Sequence, residues 1–327
     1  MNIEFHYDSM LLISLYSGYT LKEAEIIAHS SQLVDDNCEV FKINDGGYNP
    51  YQNYISQTMN PYRPVLDLMR IYMFFHFQPG DYSDETLRRK DGHSHRLNCT
   101  PNSEFAQCIF TRALGTPNLY LIGIACHAYA DTFSHYGFTG YHDPFNAMSG
   151  VLETALPNVG HADTKHNPDL INHVWYDKRL MNEKRDNNAM FIQAAAHIFN
   201  ALYIGPENQR KDREQRLLYT LASIYAGETE DLRKDMFRHV FDTFKRQHPK
   251  QVYPNHGYPE YDDKAWFKAA VKEEWRLLRP NLYHWRDGIG YHETHWFKFQ
   301  EAIKEYQSLC WNILEEPVFS KMQLEKL

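Results

Sequence analysis

The chain has 327 residues, of which 43% are hydrophobic and 23% charged, and its formal net charge at pH 7 is −8. This composition is typical of a soluble globular protein and gives no overall attraction to nucleic acid or to an anionic membrane. The five cysteines are widely spaced without a C-x-x-C pair, which argues against a disulfide framework or a zinc ribbon. No stretch approaches the ~20 apolar residues of a membrane span. The N-terminus lacks the basic start of a secretory signal, so we expect a cytoplasmic protein.

Caps and hydrophobic spacing predict four helices in the first half of the chain. Thr20 and Glu23 have the spacing of a capping box, in which each side chain bonds to the backbone N–H of the other residue. Asn118 is a typical N-cap for a later helix, and Gly137 is a typical stop. Hydrophobic residues at helical spacing follow these caps. The four predicted helices cover residues 20–36, 63–77, 103–115 and 119–136.

Five more helices are predicted in the second half, over residues 189–204, 207–226, 229–246, 262–278 and 295–315. Three long irregular stretches, 43–62, 80–102 and 137–172, interrupt the first half, and loops of this length in a compact domain are usually functional. We therefore predict one all-α domain over residues 1–327. Residues 1–180 would contain the chemistry, and residues 181–327 would pack around them.

A stripe of ionisable residues interrupts the apolar segment 119–136. His127, Asp131 and His135 are spaced at i, i+4 and i+8, which places them on one face of a helix. A lone buried carboxylate is costly, whereas a carboxylate that shares a divalent metal with two imidazoles is not. The stripe therefore predicts a metal site. The alternative is a buried hydrogen-bond network in which Asp131 orients two histidines.

Other histidines and aspartates are candidate partners of this stripe. His173 and Asp177 have the H-x-x-x-D spacing, which would put both on one face of a helix. His161 lies in a glycine-containing loop and competes with His173 for the same role. The remaining candidates each stand near a predicted helix or in the N-terminal segment, and they are His6, Asp35, Asp36 and His76.

The order of these residues resembles a known family, the zinc-dependent phospholipases C and single-strand-specific nucleases. Those enzymes share a helical fold with three zinc ions and have ligands in the order His, Asp, His, H-x-x-x-D, His and H-x-x-x-[ED]. The similarity covers residues 6–177. The spacing from Asp131 to His135 is slightly shorter than in the family, whose processed N-terminal residue is also a ligand. The chain also looks like a group of uncharacterised bacterial proteins with the same VDD, FHF-x-PG and HxYADTFSH segments.

The resemblance implies how the candidates would share two or three ions. One ion would take Asp35 or Asp36 together with His76, His127 and Asp131. A second would take His135 and His173 with Asp177. A third would take His6, with Asp131 bridging to the first ion, and Asp131 and Asp36 are the carboxylates expected to act in catalysis.

The predicted function is hydrolysis of a phosphoester, because paired metals activate a water and neutralise the leaving oxygen. Zinc is the first expectation for a mixed His and Asp set, and manganese or iron also fits. The substrate would be a small-molecule or lipid phosphoester, since the sequence has no strong nucleic-acid signal. Two alternatives remain: a phosphohydrolase built on the His142-Asp143 dipeptide, and a non-catalytic binding or scaffold protein with a structural metal or none.

Overall fold

The computed structural model describes residues 1–44, 50–58, 60, 63–81, 87–148, 160–161, 164–276, 281–288 and 290–322. These residues are mostly helical. A π-helical segment, Glu4–Ser9, runs directly into the first α-helix. The α-helices are α1 Met10–Ser17, α2 Leu21–Asp36, α3 Val65–Phe75, α4 Glu104–Leu114, α5 Leu119–Ser134, α6 Asn187–Leu202, α7 Arg210–Tyr225, α8 Glu230–Gln247, α9 Ala265–Ala270 and α10 His295–Leu314.

The predicted caps are present and define the ends of the two helices that matter most. Both bonds of the capping box between Thr20 and Glu23 form at the start of α2. The Asn118 side chain accepts hydrogen bonds from the first turn of α5. Helix α5 is central, since it packs against α2, α4, α6 and α10. Its side chains join one hydrophobic core that includes residues from Met1 to Phe319.

Helices α2 and α5 approach each other closely at Gly123. A Cβ atom at this position would lie only 2.4 Å from the Ile27 carbonyl oxygen and 2.7 Å from the Ser30 Cβ. Real Cβ atoms do not make contacts this short, so only glycine fits here. The close approach brings the C-terminal ends of the two helices, and therefore Asp35 and Asp131, to the same region of the molecule.

Two small sheets show that the all-α prediction was too simple. One has the strand order β2-β1-β6-β5, formed by β1 Lys42–Asn44, β2 Tyr51–Gln52, β5 Val271–Glu274 and β6 Leu282–Trp285. The other is an antiparallel hairpin of β3 Val174–Tyr176 and β4 Lys184–Asp186. The correct description is a mostly helical fold with two small sheets.

The predicted helix over residues 262–278 was wrong in its second half. Helix α9 ends at Ala270, and the chain continues at once as β5, which pairs with β6. Val271 is buried here with Ile43 and Trp296 in a small separate core. Pairing with β6 and burial against Ile43, which is distant in the sequence, therefore override the local helical pattern. None of the described helices combines the length and apolar character needed to cross a lipid bilayer.

Candidate metal centre

The ionisable stripe of α5 is buried at the C-terminal end of the helix. His127 and Asp131 are 0% and 1% exposed, and His135 is the C-cap, whose N–H donates to the Asp131 carbonyl. Neighbouring segments bring further histidines and carboxylates to this end. They form three groups of potential metal ligands, of which the first two share His127: Asp35, His76 and His127; His6, His127 and Asp131; and His135, His161 and Asp169.

Four ligand atoms from α2, the end of α3 and α5 converge on one point. Nδ1 of His76, Nε2 of His127 and Oδ2 of Asp131 lie 3.3 Å from one another. Oδ1 of Asp35 lies 3.7 Å from each of the two imidazole nitrogens. We call Asp35, His76, His127 and Asp131 the four-ligand group.

These distances match the edges of a tetrahedral metal site. Nitrogen and oxygen ligands lie about 2.0–2.1 Å from zinc, so two ligands of a tetrahedron are separated by about 3.3–3.4 Å. Three of the six edges of the four-ligand group have this length, and the two that join Asp35 to the imidazole nitrogens are only slightly longer. These five edges are compatible with a small divalent metal.

The hydrogen bond of His76 fixes which of its nitrogens faces the group. Its Nε2 donates to the Ser56 carbonyl oxygen at 2.9 Å, so Nε2 carries a proton. In a neutral imidazole Nδ1 then has only its lone pair, and this lone pair faces the carboxylate of Asp131. Two acceptors repel each other unless a positive charge lies between them, and a backbone carbonyl behind a histidine is the usual support of a metal ligand.

The two oxygens of Asp131 face in different directions. While Oδ2 faces His76 and His127, Oδ1 lies 3.1 Å from Nε2 of His6 and 2.5 Å from the amino group of Met1. The Met1 amino group also lies 3.2 Å from Oδ1 of Asp169. Asp131 therefore connects the four-ligand group to two further sets of polar atoms, as a bridging carboxylate would.

A second centre, which we call the three-ligand group, consists of His135, His161 and Asp169. Nε2 of His135 lies 2.9 Å from one oxygen of Asp169, and Nε2 of His161 lies 3.3 Å from the other. Each imidazole donates its Nδ1–H to a backbone carbonyl, that of His76 for His135 and that of Lys165 for His161. In the neutral rings, Nε2 of His135 and Nε2 of His161 therefore each carry a lone pair, which faces the carboxylate of Asp169. The same arrangement occurs between His76 and Asp131 in the four-ligand group.

Electrostatics keep Asp131 and His6 in the protonation states that a metal requires. Burial alone would raise the pKa of Asp131, but His135, the Met1 amino group, His127 and His6 outweigh it and hold the pKa well below its ordinary value. Burial and the neighbouring His127 lower the pKa of His6 far below its ordinary value. Asp131 is therefore ionised and His6 neutral, and these are the forms that bind metals.

Three predicted ligands lie outside these groups. His173 precedes strand β3, where its Nε2 contacts Asn167, and the expected helix over His173 and Asp177 is absent. Asp177 is buried in a salt bridge with Arg179. Asp36 accepts hydrogen bonds from Gln32 and Tyr261 instead of joining its neighbour Asp35.

Two groups at the centre were not predicted as ligands from the sequence, Asp169 and the Met1 amino group. Asp169 takes the place expected for Asp177, and of the two alternatives His161 and His173 it is His161 that lies at the centre. His161 and Asp169 are also eight residues apart, but no described helix or strand contains both of them, so the spacing alone did not reveal their contact. The Met1 amino group was not a candidate, because the N-terminal ligand of the similar family is a processed residue and no processing signal was found in this sequence.

Comparison with protein families gave one match. A family model described as a family of unknown function, DUF6765, matches residues 1–314, and the chain therefore belongs to this family. No curated protein and no solved structure matches the chain.

Proposed function

We propose that this DUF6765 protein is a metal-dependent hydrolase that acts on a phosphoester. The observation that carries the proposal is the set of five distances in the four-ligand group, 3.3–3.7 Å between nitrogen and oxygen atoms of four side chains. Without a metal, the contact between Nδ1 of His76 and Oδ2 of Asp131 requires a second proton on the imidazole, because Nε2 already donates to a carbonyl. Zinc is the first candidate for such a set, and manganese or iron also suits it.

The two groups differ in a way that suits catalysis. Four side chains complete a tetrahedral set in the four-ligand group, whereas the three-ligand group leaves a position for water or substrate. The side chains of Asp169 and His161 are 15% and 18% exposed, so the three-ligand group is accessible from outside. A divalent metal held there would lower the pKa of a bound water and polarise a phosphoryl oxygen.

The roles of the protein residues follow from these positions. Asp131 holds the groups together through its two oxygens, and its charge offsets the positive charge that metals bring to a buried site. His135 lies between Asp131 and Asp169, with Nδ1 3.5 Å from the former and Nε2 2.9 Å from the latter. A small-molecule or lipid phosphoester is the proposed substrate.

A second candidate function is a non-catalytic protein with a structural metal. The observation in its favour is the closed character of the four-ligand group, in which His127 and Asp131 are fully buried. A structural zinc has four protein ligands and no exchangeable water. The two candidates therefore differ in whether the three-ligand group binds a metal and turns over a substrate.

The test is hydrolysis of bis(p-nitrophenyl) phosphate by protein loaded with zinc or manganese, with the affinity tag at the C-terminus because the Met1 amino group contacts Asp131. We expect turnover that chelation abolishes and that Asp131→Asn reduces at least about 100-fold in kcat/KM. The control His166→Gln changes an exposed histidine near the three-ligand group and should retain the activity. Equal turnover by Asp131→Asn, or no turnover of diesters, monoesters and phospholipids by the loaded protein, would contradict the hydrolase.

A further inference from the structure

A cavity lies between the β3–β4 hairpin and α6, apart from the candidate metal ligands. Its volume is about 300 Å³. Two cationic side chains, Lys184 and Arg185, and two amides, Asn182 and Gln193, contribute to its lining. We call it the Arg185 cavity. Its volume is at the lower end of the range of small-molecule sites, which is about 300–1,000 Å³.

The guanidinium of Arg185 is buried with unused hydrogen-bonding capacity. Its side chain is 3% exposed, and its Nη2 donates to the Tyr136 carbonyl oxygen at 3.0 Å. Nε and Nη1 have no hydrogen-bond partner among the described residues. These two nitrogens carry three of the five N–H donors of a guanidinium, and a buried cation with unpaired donors is costly.

Among the described residues, Asp177 is the one carboxylate that contacts Arg185, and it already forms a salt bridge with Arg179. Arg179 donates a hydrogen bond to each oxygen of Asp177, from Nε to Oδ1 at 2.9 Å and from Nη2 to Oδ2 at 2.7 Å. Arg185 reaches the same carboxylate at 3.4 Å, a longer contact. Two buried guanidinium groups thus share one negative charge, and one positive charge is left over at the Arg185 cavity.

The rest of the lining adds to this charge and provides a surface for an organic group. Lys184 is exposed and has no ion pair recorded among the described residues, so it contributes a second positive charge. The Tyr136 ring covers the Arg185 guanidinium at 3.5 Å. Leu180 and Met190 form apolar parts of the wall. The combination of cations, amides and apolar surface is that of a site for a small charged organic molecule.

We propose that the Arg185 cavity binds a small organic anion. Its carboxylate or phosphate group would contact the exposed Lys184 and be attracted by the charge of the buried Arg185 guanidinium, and its apolar part would pack on Leu180 and Met190. A guanidinium remains charged even when it is buried, so it attracts either kind of oxyanion. The site does not depend on the proposed hydrolase, because none of the candidate metal ligands lines the cavity.

The test is calorimetric titration with phenyl phosphate and with benzoate, using phenol as the neutral control. Lys184→Gln should weaken binding about 2- to 5-fold, as expected for an exposed charge. Lys178→Gln removes an exposed lysine that does not line the cavity, and it should leave the affinity unchanged. Gln193→Trp fills the cavity from an exposed position on α6 and should weaken binding at least about 10-fold without removing a charge.

The same titrations distinguish the Arg185 cavity from the metal centre. Binding should persist in Asp131→Asn and in chelator, because neither changes the cavity lining. Saturable binding of one anion and not the other identifies the headgroup. The proposal is overturned if neither anion binds, if phenol binds as tightly, or if binding is lost in Asp131→Asn and retained in Gln193→Trp.

Discussion

Nδ1 of His76 lies 3.3 Å from Oδ2 of Asp131, while the other nitrogen of His76 donates to a backbone carbonyl. A neutral His76 would therefore direct a lone pair at a carboxylate. Two states remove this repulsion, a metal ion between the atoms or a proton on Nδ1. Asp131 and Asp35 raise the pKa of His76 against the effect of burial, so both states use the same negative charge. Metal binding and protonation thus compete at this position.

The two adjacent carboxylates at the end of α2 give a sharp comparison. Asp35→Asn should weaken metal binding at least about 10-fold, because it removes one ligand of the four-ligand group. Asp36→Asn should have little effect, since Asp36 bonds to Gln32 and Tyr261. Competition with a chromophoric chelator measures both affinities. Equal loss in the two variants would show that the end of α2 contributes only its charge.

The three-ligand group is tested by two histidines of the same loop region. His161→Gln should lower the number of metal ions bound per chain by one, because its Nε2 faces Asp169. His173→Gln should leave the number unchanged, since His173 contacts Asn167 and no described carboxylate. Elemental analysis of the two variants and of the wild type measures the number of metal ions bound per chain. The opposite result would restore the prediction made from the H-x-x-x-D spacing.

The close approach of α2 and α5 predicts an unusual effect of alanine. In an ordinary helix Gly→Ala stabilises by about 0.5–1 kcal/mol, whereas Gly123→Ala would place a methyl group 2.4 Å from the Ile27 carbonyl oxygen. We expect a net loss of about 1–3 kcal/mol in the free energy of unfolding. Urea unfolding measures it, and Gly257→Ala, where the added Cβ has no neighbour within 4 Å, is the control. A Gly123→Ala variant as stable as the wild type would mean that the helices are farther apart.

His29 predicts a specific pH dependence of stability. Burial, with a smaller contribution from His295, lowers the pKa of His29 to about 3, and its ring stacks on Trp266. The unfolded chain, with a histidine pKa of about 6.5, binds the proton more tightly than the folded chain. This contribution to stability is therefore complete above pH 6.5 and decreases as the pH falls. The loss of unfolding free energy that protonation of His29 causes between pH 6.5 and pH 5 is about 1–2 kcal/mol.

The measurement compares His29→Phe with the wild type by urea unfolding at pH 6.5 and pH 5. Phenylalanine keeps a ring on Trp266 and cannot be protonated, so the variant should lose less stability than the wild type between the two pH values. The exposed His239→Phe is the control and should behave as the wild type does. An unchanged pH dependence in His29→Phe would show that His29 is protonated in the folded protein.

Local rules explain which parts of the fold could be predicted from the sequence. The Thr20 capping box and the Asn118 cap each act within one turn, and both helices begin where these residues predict. The i and i+4 spacing of His127 and Asp131 places them together for the same reason. Strand β5 depends on β6 and on Ile43 far away in the chain, and the helical pattern of residues 262–278 contains no sign of this pairing.

The candidate site shows the same division between local and distant interactions. Once α5 is a helix, its stripe is determined, and the close approach at Gly123 brings Asp35 to it. The spacing of His173 and Asp177 suggested a second helical pair, but pairing of β3 with β4 directs them elsewhere. His161 and Asp169 come together although no described helix or strand contains both, so their spacing in the sequence did not reveal the contact.

The central claim is that the buried His and Asp residues bind metal, and the most direct measurement is elemental analysis of protein purified without chelators, beside Asp131→Asn. We predict at least two equivalents of zinc, manganese or iron per wild-type chain and the loss of at least one in the variant. Asp131 belongs to the four-ligand group and also contacts His6 and His135. Circular dichroism of both proteins confirms that the variant is folded. A wild-type protein without metal, even after incubation with each of these ions, would contradict the account and leave a protonated His76 beside Asp131.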